Sequence, residues 1–99
     1  MEYETIFLLN INLMEKEQKE ILNKVVECIS KNGNIISIQE IGRKTLSYPI
    51  KKQKEAYYYQ IDFEADNQCA SELEHIYRTT DGVLKFMTLK NKKGNKKYE

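Results

Sequence analysis

The stretch AYYYQIDFE, residues 56–64, mixes aromatic, branched and acidic side chains. In a strand, successive side chains point to opposite faces. Tyr57, Tyr59, Ile61 and Phe63 therefore share one face, and Ala56, Tyr58, Gln60, Asp62 and Glu64 share the other. Burying Gln60, Asp62 and Glu64 without partners would cost several kcal/mol, so only the first set can cover a core. The segment reads as a strand of a sheet with one covered face and one open face, and Tyr58 is the ring expected on the open side.

Outward from that strand the other elements follow. Tyr3 to Ile11 (YETIFLLNI) is rich in aromatic and branched residues and reads as a strand. Glu15 to Lys31 places Gln18, Ile21, Leu22, Val25, Val26 and Ile29 at helical spacing, and Asn32-Gly33 supplies a stop. Asn34 to Tyr48 is extended, with a bulge or bend expected at Gly42 and an end at Pro49, which cannot donate to a ladder. Asp66 can cap a second helix, Asn67 to Thr80, whose apolar face holds Cys69 or Ala70, Leu73, Ile76 and Tyr77. Asp81-Gly82 then turns the chain into a last strand, Val83 to Lys90.

The order strand, helix, strand, strand, helix, strand makes two βαβ-like halves. Right-handed crossovers favour an α+β, ferredoxin-like split βαββαβ arrangement: a four-stranded antiparallel sheet in order 4-1-3-2 with both helices on one face. The domain is expected to span residues 1–90, with 91–99 (NKKGNKKYE) too poor in apolar residues to pack and so a flexible lysine-rich tail.

Composition bounds what such a domain can do. The 99 residues are 40% hydrophobic and 31% charged, and a domain this size buries roughly two-thirds of its unfolded surface. One modest core is expected, without a deep enclosed active site. No apolar run approaches the roughly 20 residues that span a bilayer, so no membrane is expected as a partner. The start, MEYETIFLLNINLMEKE, has no basic segment ahead of its apolar run and no small-residue cleavage site, so a cytoplasmic chain is expected. Cys28 and Cys69 lack the close Cys or His neighbours of a zinc site and are read as buried thiols rather than a disulfide.

Net charge is only +1, but it is segregated. Arg43, Lys44, Lys51, Lys52 and Lys54 fall in one stretch without an acid, and Lys85, Lys90, Lys92, Lys93, Lys96 and Lys97 in another. Between them, Asp62 to Glu74 holds acids and no Lys or Arg. Cations in a hairpin loop and after a last strand can neutralise phosphates and release counterions without disturbing a core. Arg43, Lys44, Lys51, Lys52, Lys54, Lys85, Lys90, Lys92 and Lys93 are the expected RNA-binding residues. Leu46, Tyr48, Pro49 and Ile50 are apolar at the same hairpin end; they read either as a site for a protein partner or as a small satellite cluster folded back on the hairpin.

Catalysis finds no constellation. His75 is the one histidine, beside Glu74 on a helix, and reads as a surface residue. There is no phosphate-binding glycine loop, and Asp62, Glu64 and Asp66 read as solvated acids rather than a metal site. No catalytic residues, metal, cofactor or small-molecule substrate are expected.

Two resemblances bear on function. Ile6 to Ile11 (IFLLNI) resembles the first-strand signature of RNA recognition motifs, with Tyr57 and Tyr59 at the third-strand stacking positions. The alternation above rejects it, because those tyrosines face the core. Gly42 to Ile50 (GRKTLSYPI), followed by Lys51 and Lys52, is similar to the signature of the bacterial small-subunit ribosomal protein six family. The likeness continues through YETIFLLN, NGNIISIQEIGRK, FEAD and DGVLKFMTLK, covering residues 2 to about 90; Thr45 departs from the commonest pattern. The resemblance implies a non-enzymatic structural protein of the small (30S) subunit, with a ferredoxin-like fold. It also implies binding to central-domain small-subunit ribosomal RNA on the platform, as a heterodimer with ribosomal protein eighteen. Under it, the second strand and hairpin would form the partner surface. The fold also hosts small regulatory or ligand-binding domains that dimerise through the sheet; such a domain would leave both lysine clusters unexplained.

Overall fold

The computed structural model describes residues 1–91. Its elements are β1 (Glu2–Asn10), α1 (Glu15–Asn32), β2 (Gly33–Ile50), β3 (Gln53–Ala65), α2 (Asn67–Thr79) and β4 (Val83–Asn91). The four strands form one sheet in the order β2-β3-β1-β4, every neighbouring pair antiparallel. This is the expected ferredoxin-like arrangement, read from the other edge.

Pleating sorts the side chains as the alternation requires. Phe7 lies opposite Tyr59 in β3 and opposite Phe86 in β4, and Tyr77 comes down from α2 onto the row. Ring centroids are 5.3 Å apart for Phe7–Tyr59, 5.3 Å for Phe7–Tyr77 and 5.0 Å for Tyr77–Phe86, within the range where aromatic pairs attract beyond their area burial. Ile61 and Phe63 are fully buried on the same side, while Glu64 is exposed and Gln60 and Asp62 half-exposed on the other. Ala56 is the exception on that open side: flanked in register by Lys44 and Asn10, it is buried.

The helices bury the stripes their spacing predicts. α1 contributes Ile21, Val25, Cys28 and Ile29, and α2 contributes Cys69, Leu73 and Tyr77. Asp66 caps α2 by accepting the Cys69 backbone N–H at 3.2 Å. Buried polar groups find partners: Thr5 Oγ1 bonds the Tyr77 hydroxyl at 2.8 Å and Thr88 Oγ1 at 3.0 Å. At the end of α1, Asn32 Nδ2 donates to the Cys28 carbonyl and to Glu72 Oε1, both at 2.9 Å, tying the helices together. The Asn32 bond holds the Glu72 carboxyl below its usual range.

Most boundaries fall within a residue or two of expectation, and three of the differences bear on the hairpin and the end of the sheet. β2 runs through Pro49 to Ile50 rather than ending at the proline, and β3 begins at Gln53 rather than Ala56. The reason is local: residues 46–49 lie opposite the single residue Lys54, so Pro49 sits in a bulged segment that asks no ladder bond of it. β4 runs to Asn91 rather than Lys90, its backbone pairing with Glu2. The remainder of the expected tail, residues 92–99, lies outside the described residues.

Two predictions follow from this packing. A Cβ on Gly33, where the chain leaves α1, would overlap the Glu64 carbonyl oxygen and lie 2.7 Å from Ala65 Cα. Gly42, at φ 100°, has open space around it and opposes a side chain only through its backbone. Gly33→Ala is expected to cost about 3 kcal/mol and Gly42→Ala about 1 kcal/mol, read from urea midpoints at constant m; the reverse order would contradict the packing at Gly33. Burial pushes the Cys69 thiol from 9.0 up to about 12, and burial also raises Cys28 and Tyr77. Raised acids of this kind stabilise the fold fully below about pH 9, and the contribution is lost as pH climbs from there toward 12. Urea midpoints should fall between pH 9 and 11, and Cys69→Ala should flatten that fall while lowering stability at pH 7.

Candidate nucleic-acid interface

Beyond Asn10, β1 ends while β2 and β3 continue, so the hairpin extends past the four-stranded part of the sheet. Its turn is Lys51-Lys52, with φ of 50° and 69°. Positive φ at both central residues is what a tight two-residue hairpin of primed type requires, and Asn-Gly is the usual solution. Two lysines there cost roughly 1–2 kcal/mol each in backbone strain. They put two ammonium groups at the hairpin tip, at the opposite end of β3 from Asp62 and Glu64.

The remaining cations of the first cluster distribute around this tip. Lys44, Lys51, Lys52 and Lys54 are exposed, and among the described residues none makes an ion pair. Lys44 reaches over the Tyr58 ring, its Nζ 6.0 Å from the centroid, a spacing at which a cation is drawn to the ring face. Arg43 is different. Its guanidinium holds Glu55 Oε1 through Nε at 2.7 Å and Nη2 at 2.6 Å, so the cation-only stretch ends one residue before its own counter-ion. Because Thr45 faces Glu55 in the register, Arg43 is its diagonal neighbour, a relation that follows only once the strands are paired.

The second cluster does not stay together. Lys85 lies opposite Leu8, which lies opposite Tyr58, so it shares the open face and the hairpin end with the first cluster. Lys90 lies opposite Tyr3 at the far end of the sheet, and its separation from Lys85 by five positions turns it to the other side. Lys92 and Lys93, like Lys96 and Lys97, lie outside the described residues. Lys51 also lines a cleft of about 320 Å³ with Arg78 in the last turn of α2 and Thr80 and Asp81 of the α2–β4 turn, so the tip stands close to the start of β4.

The apolar residues of the hairpin divide as well. Tyr48 is 64% exposed and Pro49 is exposed, whereas Leu46 and Ile50 are half-buried. Sequence reading missed their neighbours along the free edge of β2. Register shifts between Ile35 and Ser37 and between Glu40 and Gly42 leave Ile36 and Ile41 as extra residues, 55% and 40% exposed. The Gly42 bulge was legible from its glycine; Ile36 carries no such signal.

The other candidate groups stay apart from this surface. His75 is exposed on α2, and Asp62 accepts hydrogen bonds from Ser37 Oγ at 3.3 Å and Gln60 Nε2 at 3.4 Å. Both cysteines are free and buried, and burial raises both thiols above their ordinary value. Among the described residues no three His, Cys, Asp or Glu side chains converge on a metal-sized site, and no helix is long and apolar enough to cross a membrane.

The family model described as Ribosomal protein S6 matches residues 2–90. The small ribosomal subunit protein bS6 of Clostridium novyi is 41% identical over 92 residues, covering 92% of this chain and 97% of the relative. The protein of the same name from Thermoanaerobacter pseudethanolicus is 36% identical over 89 residues, covering 89% and 94%. Among solved structures, the crystal structure of 30S ribosomal protein S6 from Thermotoga maritima superposes with a TM-score of 0.86 at 30% identity, covering 91% of this chain and 86% of that one. An uncharacterised protein of the same organism, 18% identical with a TM-score of 0.60 and covering 92% and 96%, shares the fold.

Proposed function

The chain belongs to the ribosomal protein S6 family and is a structural component of the small ribosomal subunit, not an enzyme; on that premise we propose that its hairpin cations anchor it to the central domain of small-subunit ribosomal RNA, on the platform, together with ribosomal protein eighteen. Its place is the cytoplasm, within the ribosome. The observation that carries the RNA reading is the gathering of Lys44, Lys51, Lys52 and Lys54 on a hairpin projecting from the sheet, exposed and without ion pairs among the described residues. Such groups neutralise phosphates and supply affinity without reading bases. Lys85 extends the same end, and Lys90 would engage phosphate at the other; Lys92 and Lys93, outside the described residues, complete the proposed set. Arg43 would have to exchange Glu55 for phosphate, so its contribution is the smaller one.

The partner surface is read from the edge strand. Tyr48 and Pro49 stand out from the bulge, Leu46 and Ile50 support them from half-buried positions, and Ile36 and Ile41 extend the apolar line along an edge whose backbone is unpaired. An exposed apolar edge strand invites pairing with another chain, and ribosomal protein eighteen is the occupant this reading assigns to it.

The test is binding of the full chain to a central-domain small-subunit RNA fragment, with and without ribosomal protein eighteen, over a range of salt. Tight binding only with the partner present is expected, weakening with a log–log salt slope of about −3 for four or five phosphate contacts. Replacing Lys51, Lys52 and Lys54 together with alanine should cut that slope by about 2 and leave the heterodimer intact. No binding under either condition, with a stable homodimer in solution, would overturn the proposal in favour of a regulatory domain that pairs through its sheet.

A further inference from the structure

The open face of the sheet is polarised along its length. At one end Glu2 faces Glu64 and Glu4 faces Asp62. At the hairpin end the facing row is Tyr58, Leu8 and Lys85, with Lys44 over the ring. The Tyr58 ring is half-exposed, and its neighbours on the face are neutral or cationic: Leu8 buried beneath the row, Gln60 half-exposed, Lys44 and Lys85 exposed. Lys85 stands two strand spacings from Tyr58, about 10 Å. Neither lysine makes an ion pair among the described residues.

We infer that Tyr58, flanked by Lys44 and Lys85, is a stacking platform for an unpaired RNA base, with the two ammonium groups taking the adjoining phosphates. The inference rests on the RNA reading above and gives it a chemical specificity that lysines alone lack. An aromatic face with nearby cations is the arrangement by which sheets hold single strands: the ring accepts any base by stacking, and the cations follow the backbone. Lys54 shares the alternation of Ala56 and Tyr58 and is exposed, so a strand leaving Tyr58 toward the hairpin tip would meet a further phosphate-binding group. The acids at the other end of the face repel such a strand and confine it to the hairpin end. Alternation also explains why this ring is the one available. Tyr57 and Tyr59 are committed to the helix side, where Tyr59 stacks on Phe7 and donates to Gln18 Oε1 at 3.2 Å. A protein segment could cover the same row, but the pairing of a ring with two unneutralised cations favours a polyanion.

The chain contains no tryptophan, so Tyr58→Trp introduces a single emission reporter at the proposed contact. Unchanged protein, Tyr58→Trp, Tyr58→Phe and Tyr58→Ala would be titrated, in complex with the partner ribosomal protein, with the central-domain RNA fragment. Expected results are equal binding by Tyr58→Phe, about tenfold weaker binding by Tyr58→Ala with an unaltered salt slope, and quenching of the Tyr58→Trp emission on RNA addition. If the unchanged protein binds RNA but Tyr58→Ala binds as tightly and the reporter's emission does not respond, the stacking platform is overturned while the phosphate-anchoring reading stands. Quenching by the partner protein alone, with no further change on RNA addition, overturns it in favour of a protein contact. Failure of the unchanged protein to bind RNA removes both.

Discussion

The pairing of Phe7 with Tyr59 is the constraint on which the rest of this structure depends. Because side chains alternate along a strand, that one match places Thr5, Leu9, Ile61 and Phe63 against the helices and sends Gln60, Asp62 and Glu64 the other way. A slip of one residue would exchange the two sets. It would bury two carboxylates and expose a fully buried isoleucine and phenylalanine, a penalty of several kcal/mol from the polar groups alone. Tyr77 locks the match from above, resting its ring between Phe7 and Phe86 and bonding Thr5 with its hydroxyl.

With the centre held so firmly, the periphery is free to be irregular. β2 is an edge strand, contacting only β3 within the sheet, and it carries every register shift of that pairing. Each shift re-aims side chains that a regular strand would have turned toward the covered face or hidden in the ladder. The consequence is an edge with exposed Ile36, Ile41 and Tyr48 and a hairpin whose tip is two lysines held at positive φ. Strained backbone bearing charge at the end of a projecting hairpin has no use for the core, and points instead to a contact outside the molecule. Segregation of charge follows from the same geometry: the acids of the open face lie where β1 begins, and the lysines lie where β1 has ended.

Much of this was legible in the sequence. The alternation in AYYYQIDFE set the covered face, helical spacing identified the buried stripes of both helices, and Asp66, Gly42 and Asn32-Gly33 announced a cap, a bulge and a stop. What could not be read depended on which residues meet across strands. Arg43 looked like a free cation until pairing brought Glu55 beside it. Lys85 and Lys90 looked like one cluster until the register put them at opposite ends of β4. Pro49 looked like a strand end because its missing N–H is a local fact, whereas the bulge that tolerates it is a property of the pair. Ile36 gave no sign of exposure, since a branched apolar residue in a strand pattern reads as core unless the ladder skips it.

The central claim is that this scaffold keeps its helix face for its own core and offers the hairpin end of the sheet to RNA. The most direct measurement is the amide spectrum of isotope-labelled chain, held in complex with unlabelled partner protein, as a central-domain RNA fragment is added. The account predicts shifts concentrated at residues 43–54, Tyr58 and Lys85, with α1, α2 and the acidic end of β3 unmoved. Shifts centred on the outer surfaces of α1 and α2, with the hairpin silent, would contradict it.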